Sequence, residues 1–221
     1  MNACILFDFD GTIMDTEPAI MASYGYLFEK YRTIEEFTPE RRIRVLGPAL
    51  EVMMAEFFPE KDPFACVEEY RAYQKNHLRD LIHPMPGAVR LLEELREMGI
   101  PRGTVSTRYR KSLEELLEQN DMRQYMDVVL GHDDVVNDKP DPEGILLAKK
   151  MLGCDDCMYI GDSVMDVRAG KNAGAFAVAF PSNPGKRDAL FAETPDAVIA
   201  SLDELTAIVR RWRETHGTDP F

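Results

Sequence analysis

From Met85 onward, short apolar runs alternate with stretches whose apolar residues recur at helical spacing, and this alternation narrows the possible folds more than any other property of the chain. The pattern predicts helices over 87–98, 109–119, 142–152 and 164–173. Strands are predicted at 103–105, 128–130, 158–160 and 176–178, and a last strand and helix at 197–199 and 202–212. Strands that take turns with helices build a parallel sheet covered on both faces, an α/β architecture. Residues 214–221 read as a polar tail.

Between Asp15 and His83 the alternation stops. Ile20, Tyr24, Leu27 and Tyr31 repeat at helical spacing, followed by helical runs over 52–58 and 66–81. The expected organisation is a core made of 1–14 and 85–221, with an inserted helical domain at 15–84 that the topology can carry over the carboxyl ends of the sheet as a lid. Its methionines and aromatics are expected to pack helix against helix. Hinges are expected near Asp15-Thr16 and over 82–85.

The insertion starts just after Ile5-Leu6-Phe7-Asp8-Phe9-Asp10-Gly11-Thr12, an apolar run that ends on two aspartates and a glycine turn. In extended backbone, residues i and i+2 point the same way, so Asp8 and Asp10 can address one reacting atom. Alone, the segment is as readily an ordinary turn. Three more segments change that reading. Val105-Ser106-Thr107 ends a second apolar run, Lys139 precedes Pro-Asp-Pro, and Gly161-Asp162-Ser163-Val164-Met165-Asp166 closes a third strand-like stretch. Except for the lysine, each polar group follows a strand directly. It therefore lies at a carboxyl end, where open α/β sheets bind ligands.

An Asp-x-Asp, a hydroxyl, a lysine and a Gly-Asp-x-x-x-Asp in this order resemble the four motifs of the haloacid dehalogenase superfamily, and the resemblance runs from Ala3 to about Val209. It implies a Rossmann-like parallel sheet with helices on both faces, plus the inserted α-helical cap of the phosphoglycolate phosphatase and β-phosphoglucomutase branch. It also implies Asp8 as a nucleophile that forms an aspartyl-phosphate, with Asp10 as general acid and then base. Lys139 is implied to balance the charge of Asp8, and Gly11, Ser106, Thr107 and Lys139 to bind substrate. Ser106 aligns better than Thr107 with the family hydroxyl, and the two can exchange roles. The implied cofactor is Mg²⁺, a hard cation suited to oxygen ligands, on the carboxylates of Asp8 and Asp162 and the backbone carbonyl of Asp10. Asp166 would reach it directly or through water.

An acid at Asp10 argues against dehalogenation, because the dehalogenases of this superfamily have none there. The remaining readings are a phosphatase for a small phosphate monoester, with phosphoglycolate first and pyrophosphate second, or a phosphosugar mutase. A binding protein without turnover is a third. Leu46-Gly47-Pro48-Ala49-Leu50 stands where the mutases carry a basic clamp for a second phosphate, which favours the phosphatase.

The net charge of −13 argues against sequence-independent nucleic-acid binding, which needs a basic footprint. No apolar run approaches the ~18 residues of a membrane span. The early first strand leaves no room for a signal peptide, so a cytoplasmic monomer or homodimer is expected, with a small phosphorylated metabolite as partner and no membrane. Cys154 and Cys157 lack the further ligands of a zinc site and are expected as free thiols in the turn before a strand. His77, His83, His132 and His216 are expected at the surface or in packing. Arg44 and Arg108 could touch the non-phosphate end of a substrate, but solvation at the surface is the expected role of each.

Overall fold

A computed structural model describes residues 2–216, and these divide into two compact units, 2–14 with 84–216, and Asp15–His83. In chain order the elements are β1 (Ala3–Phe7), β2 (Met14–Asp15), α1 (Glu17–Tyr31), α2 (Pro39–Arg44), α3 (Leu50–Phe57), α4 (Pro63–His77) and β3 (His83–Pro84). They continue as α5 (Ala88–Glu97), β4 (Arg102–Val105), α6 (Arg110–Gln119), β5 (Val128–Leu130), α7 (Glu143–Leu152) and β6 (Asp156–Gly161). The last elements are α8 (Val164–Asn172), β7 (Phe176–Ala179), α9 (Arg187–Ala192), β8 (Ala197–Val198) and α10 (Leu205–His216).

The larger unit is a six-stranded sheet in the order β5-β4-β1-β6-β7-β8, and each paired neighbour is parallel. The α/β reading therefore holds. Strand β1 is central, and Cys4 to Phe7 are fully buried, as expected of a strand covered on both faces. Its register sets Leu6 against Gly103 on one side and Tyr159 on the other. Glycine is needed at 103, because a side chain there would run into Val128 of the next strand. From β1 the chain builds β4 and β5 on one side, then crosses to β6, β7 and β8 on the other. The reversal of strand order falls beside β1, which puts Asp8 and Asp162 at a topological switch point.

The helices follow from their apolar stripes. Helix α5 buries Leu91, Leu92 and Leu95, and α6 buries Leu113, Leu116 and Leu117, with polar residues on the opposite faces. Helix α7 ends on Gly153, whose φ of 65° closes the last turn in the left-handed conformation that glycine adopts freely. Helix α10 continues to His216, beyond the predicted end at 212, so the tail reading fails for its first residues. The rest of that tail, and the side chain of His216, lie outside the described residues.

The smaller unit holds α1 to α4 around Tyr24, Leu27, Phe28, Phe37, Met53 and Phe57. Rings there approach closely, with Phe28 and Phe37 stacked at 4.9 Å and Tyr24 edge-on to Tyr70 at 5.2 Å. Its methionines and aromatics thus form a core. The helix predicted over 66–81 is α4 followed by a separate 3-10 turn, Arg79–Leu81. Strands β2 and β3 make a separate two-stranded sheet. Among the described residues, no helix is long and apolar enough to cross a membrane.

Candidate active site

Asp8 leaves β1 with its backbone N–H donating to the Ile160 carbonyl at 2.8 Å, so the neighbouring strand β6 fixes where the carboxylate emerges. The side chain is buried. Its Oδ1 accepts from Lys139 Nζ at 2.7 Å, and the same nitrogen donates to Asp166 Oδ1 at 2.5 Å and to the Tyr159 hydroxyl at 3.2 Å. One ammonium therefore joins two acids that lie far apart in sequence. Tyr159 in turn donates to the Val105 carbonyl at 2.9 Å, tying this cluster to the end of β4.

Asp166 is the third residue of α8, whose N-cap is Ser163. The Ser163 N–H and Oγ donate to Asp166 Oδ2 at 2.9 and 2.5 Å, and Ser163 Oγ accepts from the Asp166 N–H at 3.3 Å. This reciprocal capping box satisfies helix-end donors and aims the other carboxylate oxygen at Lys139. Asp166 thus does a structural and an electrostatic job with separate oxygens. The four-residue spacing from Asp162 to Asp166 reflects a cap residue at the strand end and a helix that starts at once.

Asp162 is buried at the end of β6. Its Oδ2 accepts from Lys186 Nζ at 2.6 Å and from Ser182 Oγ at 3.3 Å. Gly11, with φ of +75°, lies against this carboxylate, and a methyl group at position 11 would collide with it. The glycine after Asp10 is thus needed both for the turn and for the close approach of Asp162.

Asp10 does not share the cation that holds Asp8. Arg108 Nη2 donates to Asp10 Oδ1 at 2.7 Å, and Nε donates to both oxygens at 3.2 and 3.1 Å. The Arg108 side chain is only 13% exposed, which overturns its reading as a solvated surface residue. A bidentate partner and the Ser112 hydroxyl at 3.1 Å keep it in place. Arg44 is half exposed and pairs with Glu56.

Ser106 is buried at the end of β4, and its Oγ accepts from the Arg108 N–H at 3.2 Å. Thr107 beside it is half-buried. The structure thus brings Asp8, Lys139, Asp162 and Asp166 into one cluster and sets Ser106 on the strand adjacent to β1.

Burial and the neighbouring Asp166 push the Asp8 carboxyl upward, and Lys139 only partly offsets this. Asp162 is also raised, chiefly by burial, against the opposing pull of Lys186. Burial alone works against the Lys139 ammonium, but Asp166 and Asp8 hold it well above its ordinary value. The two acids therefore hold the lysine in its charged form.

One oxygen each from Asp8, Asp162 and Asp166 lies within 4.8 Å of the others, in a buried all-oxygen group that suits a hard divalent cation. The hydrogen bonds separate the three. Both Asp166 oxygens have protein partners, whereas the contacts of Asp8 and Asp162 fall on Oδ1 and Oδ2 respectively. Each of those two acids keeps an oxygen for a metal.

Sequence reasoning missed Lys186 and gave Arg108 a substrate contact only as the less favoured of two roles. Arg108 carries a weak signal, since it lies two residues after Ser106. Lys186 carries none, because Pro-Gly-Lys reads as an exposed turn. The four cysteines are free and buried, and Cys157 lies inside β6 instead of the turn before it. His132 packs against Tyr109 at 4.9 Å and pairs with Asp138 at 2.7 Å, away from the acid cluster.

The chain belongs to the haloacid dehalogenase-like hydrolases, whose family model matches residues 5–180. Within that family its relatives mark it as a phosphatase. The pyrophosphatase PpaX of Bacillus velezensis is 32% identical over 206 residues, covering 92% of this chain and 94% of the relative. Its counterpart in a Listeria monocytogenes strain is 33% identical over 213 residues, covering 93% and 95%. A haloacid dehalogenase-like hydrolase from Bacteroides fragilis superposes with a TM-score of 0.84 at 27% identity, covering 93% of this chain and all of that one.

Proposed function

We propose that this protein is a Mg²⁺-dependent phosphatase for small phosphate compounds bearing a second anionic group, and that it works through an aspartyl-phosphate on Asp8. Pyrophosphate is the first candidate, supported by the PpaX relatives, and phosphoglycolate the second. The observation that carries the reading is Asp8 itself, a buried carboxylate with one oxygen pinned by Lys139 and the other outside that contact.

Bound at the Asp8 and Asp162 oxygens, Mg²⁺ would offset negative charge on the acids and the phosphoryl group. Asp8 attacks phosphorus, the bond to the leaving oxygen breaks, and Asp10 gives that oxygen a proton. Water then attacks the same phosphorus, Asp10 takes a proton from it, and the bond to Asp8 breaks. Lys139 orients the Asp8 carboxyl and offsets the negative charge of the acid and of the phosphoryl group bound to it. The Ser106 hydroxyl holds a phosphoryl oxygen.

Arg108 gives the second anion its role. While it grips both Asp10 oxygens it occupies the carboxyl that the proton transfer needs. An anionic group on the leaving half of the substrate competes for the guanidinium and frees the Asp10 carboxyl for proton transfer. The small phosphorylated partner is thus one with two acidic ends.

The test is phosphate release from pyrophosphate, phosphoglycolate, hexose phosphates and nucleotides, with Mg²⁺ or with EDTA, using Asp8→Asn as the control. Pyrophosphate or phosphoglycolate should stand out in kcat/KM, and both EDTA and the substitution should abolish turnover. Arg108→Ala should narrow the preference for doubly anionic substrates. Sugar-phosphate isomerisation without phosphate release would replace this reading with a mutase. Silence in both assays would replace it with a binding role.

A further inference from the structure

Lys186 is the buried cation that the hydrolytic scheme leaves unused. It ends the 3-10 turn Pro184–Lys186 between β7 and α9, and it is 8% exposed. The turn directs it inward. The Lys186 N–H donates to the Asn183 carbonyl at 3.0 Å, and Asn183 Oδ1 accepts from the Gly185 N–H at 2.8 Å, which fixes the backbone just before the lysine. Nζ then lies 2.6 Å from Asp162 Oδ2, with Ser182 Oγ donating to the same oxygen.

A buried ammonium is tolerated only when paired, and here its partner is a carboxylate assigned to the metal. The site already contains Lys139 and Arg108 among Asp8, Asp10, Asp162 and Asp166. Lys186 supplies a third protein cation to four acids, before any divalent ion is counted. An ammonium and a divalent cation on one carboxylate repel each other through a short, poorly hydrated distance.

We propose that Lys186 is a built-in counter-ion that neutralises Asp162 in the metal-free protein and thereby sets the affinity for the divalent cation. It is a positioning residue, acting on the metal through Asp162. The proposal rests on the metal reading above. Its consequence is a pocket that stays assembled without metal and binds Mg²⁺ more weakly than its carboxylates alone would. The lysine thus favours easy metal exchange over tight retention.

The test is calorimetric titration of MgCl₂ into the metal-stripped full-length protein, with thermal unfolding in EDTA and in Mg²⁺. The variants are Lys186→Met, Lys186→Arg, and Lys150→Met as a one-charge control on the exposed face of α7. Lys186→Met should bind Mg²⁺ at least about tenfold tighter, the equivalent of about 1.4 kcal/mol. It should also have a lower Tm in EDTA and a larger rise in Tm with Mg²⁺. Lys186→Arg and Lys150→Met should bind as the wild type does. If methionine prevents folding without metal, Lys186→Gln gives the same comparison. Unchanged or weaker binding in the neutral variant, with normal binding by the wild type, overturns the proposal alone. No Mg²⁺ binding by the wild type overturns the metal reading and this proposal with it.

Discussion

Replacing Lys139 by methionine, which has similar length and no charge, isolates the contact on which the site depends. The ammonium is 7% exposed and lies between Asp8, 2.7 Å away, and Asp166, 2.5 Å away, themselves 8% and 1% exposed. Removing one partner of a buried ion pair costs about 3–5 kcal/mol, because the remaining charge is stranded away from water. The carboxyls can escape that cost by taking up protons, so the loss should depend on pH. In Lys139→Met the folded state holds protons to higher pH than in the wild type. Its stability therefore falls faster as pH rises, by about 1.4 kcal/mol per pH unit for each extra proton. A single-proton escape reaches the full cost within about 2–4 pH units. Urea unfolding of both proteins in EDTA, from about pH 6 to about pH 10, should show curves that diverge as pH rises through about 8, where the wild-type Asp8 carboxyl gives up its proton. Phosphate release at neutral pH should fall by about 10²- to 10⁴-fold, because the unpaired Asp8 stays protonated and cannot attack. Parallel stability curves, or a variant as stable as wild type at every pH, would refute the argument that Lys139 stabilises two buried charges.

Gly11→Ala should cost about 1–2 kcal/mol for its positive φ, and it should also weaken Mg²⁺ binding by displacing Asp162. Gly174→Ala, at φ of +67° with open space around it, should show only the backbone cost, so equal Mg²⁺ affinities in the two variants would contradict the clash. Asp8 and Asp162 are raised in the folded state, so the stability they contribute is complete below their unfolded value of 3.8 and is lost as pH rises through the folded values. Metal-free protein should accordingly lose stability from mildly acidic toward neutral pH, and Mg²⁺ should reverse the loss while expelling protons. Binding enthalpies measured in buffers of different ionisation enthalpy would disagree if protons are released, and agreement among them would refute the link.

Much of the fold was legible because its signals are local. The alternation after Met85 gave a parallel sheet, since a strand buried on both faces must be apolar throughout and a covering helix must carry one apolar stripe. Element ends were less secure. Helix α4 stops at His77, but the apolar spacing runs on into a 3-10 turn, because Leu78 stays buried after the helical hydrogen bonds end.

The sequence by itself determined the parallel architecture and the residue types of the site, because strand ends and helix caps follow from spacing a few residues long. Asp8 at the end of β1 and the Ser163–Asp166 cap are of this kind. Only the tertiary structure decided how the charges pair. Lys139 meets Asp8 across 131 residues of chain, Arg108 meets Asp10 across 98, and Lys186 turns inward to Asp162. Coulomb energy depends on distance and burial in space, and no local pattern encodes either.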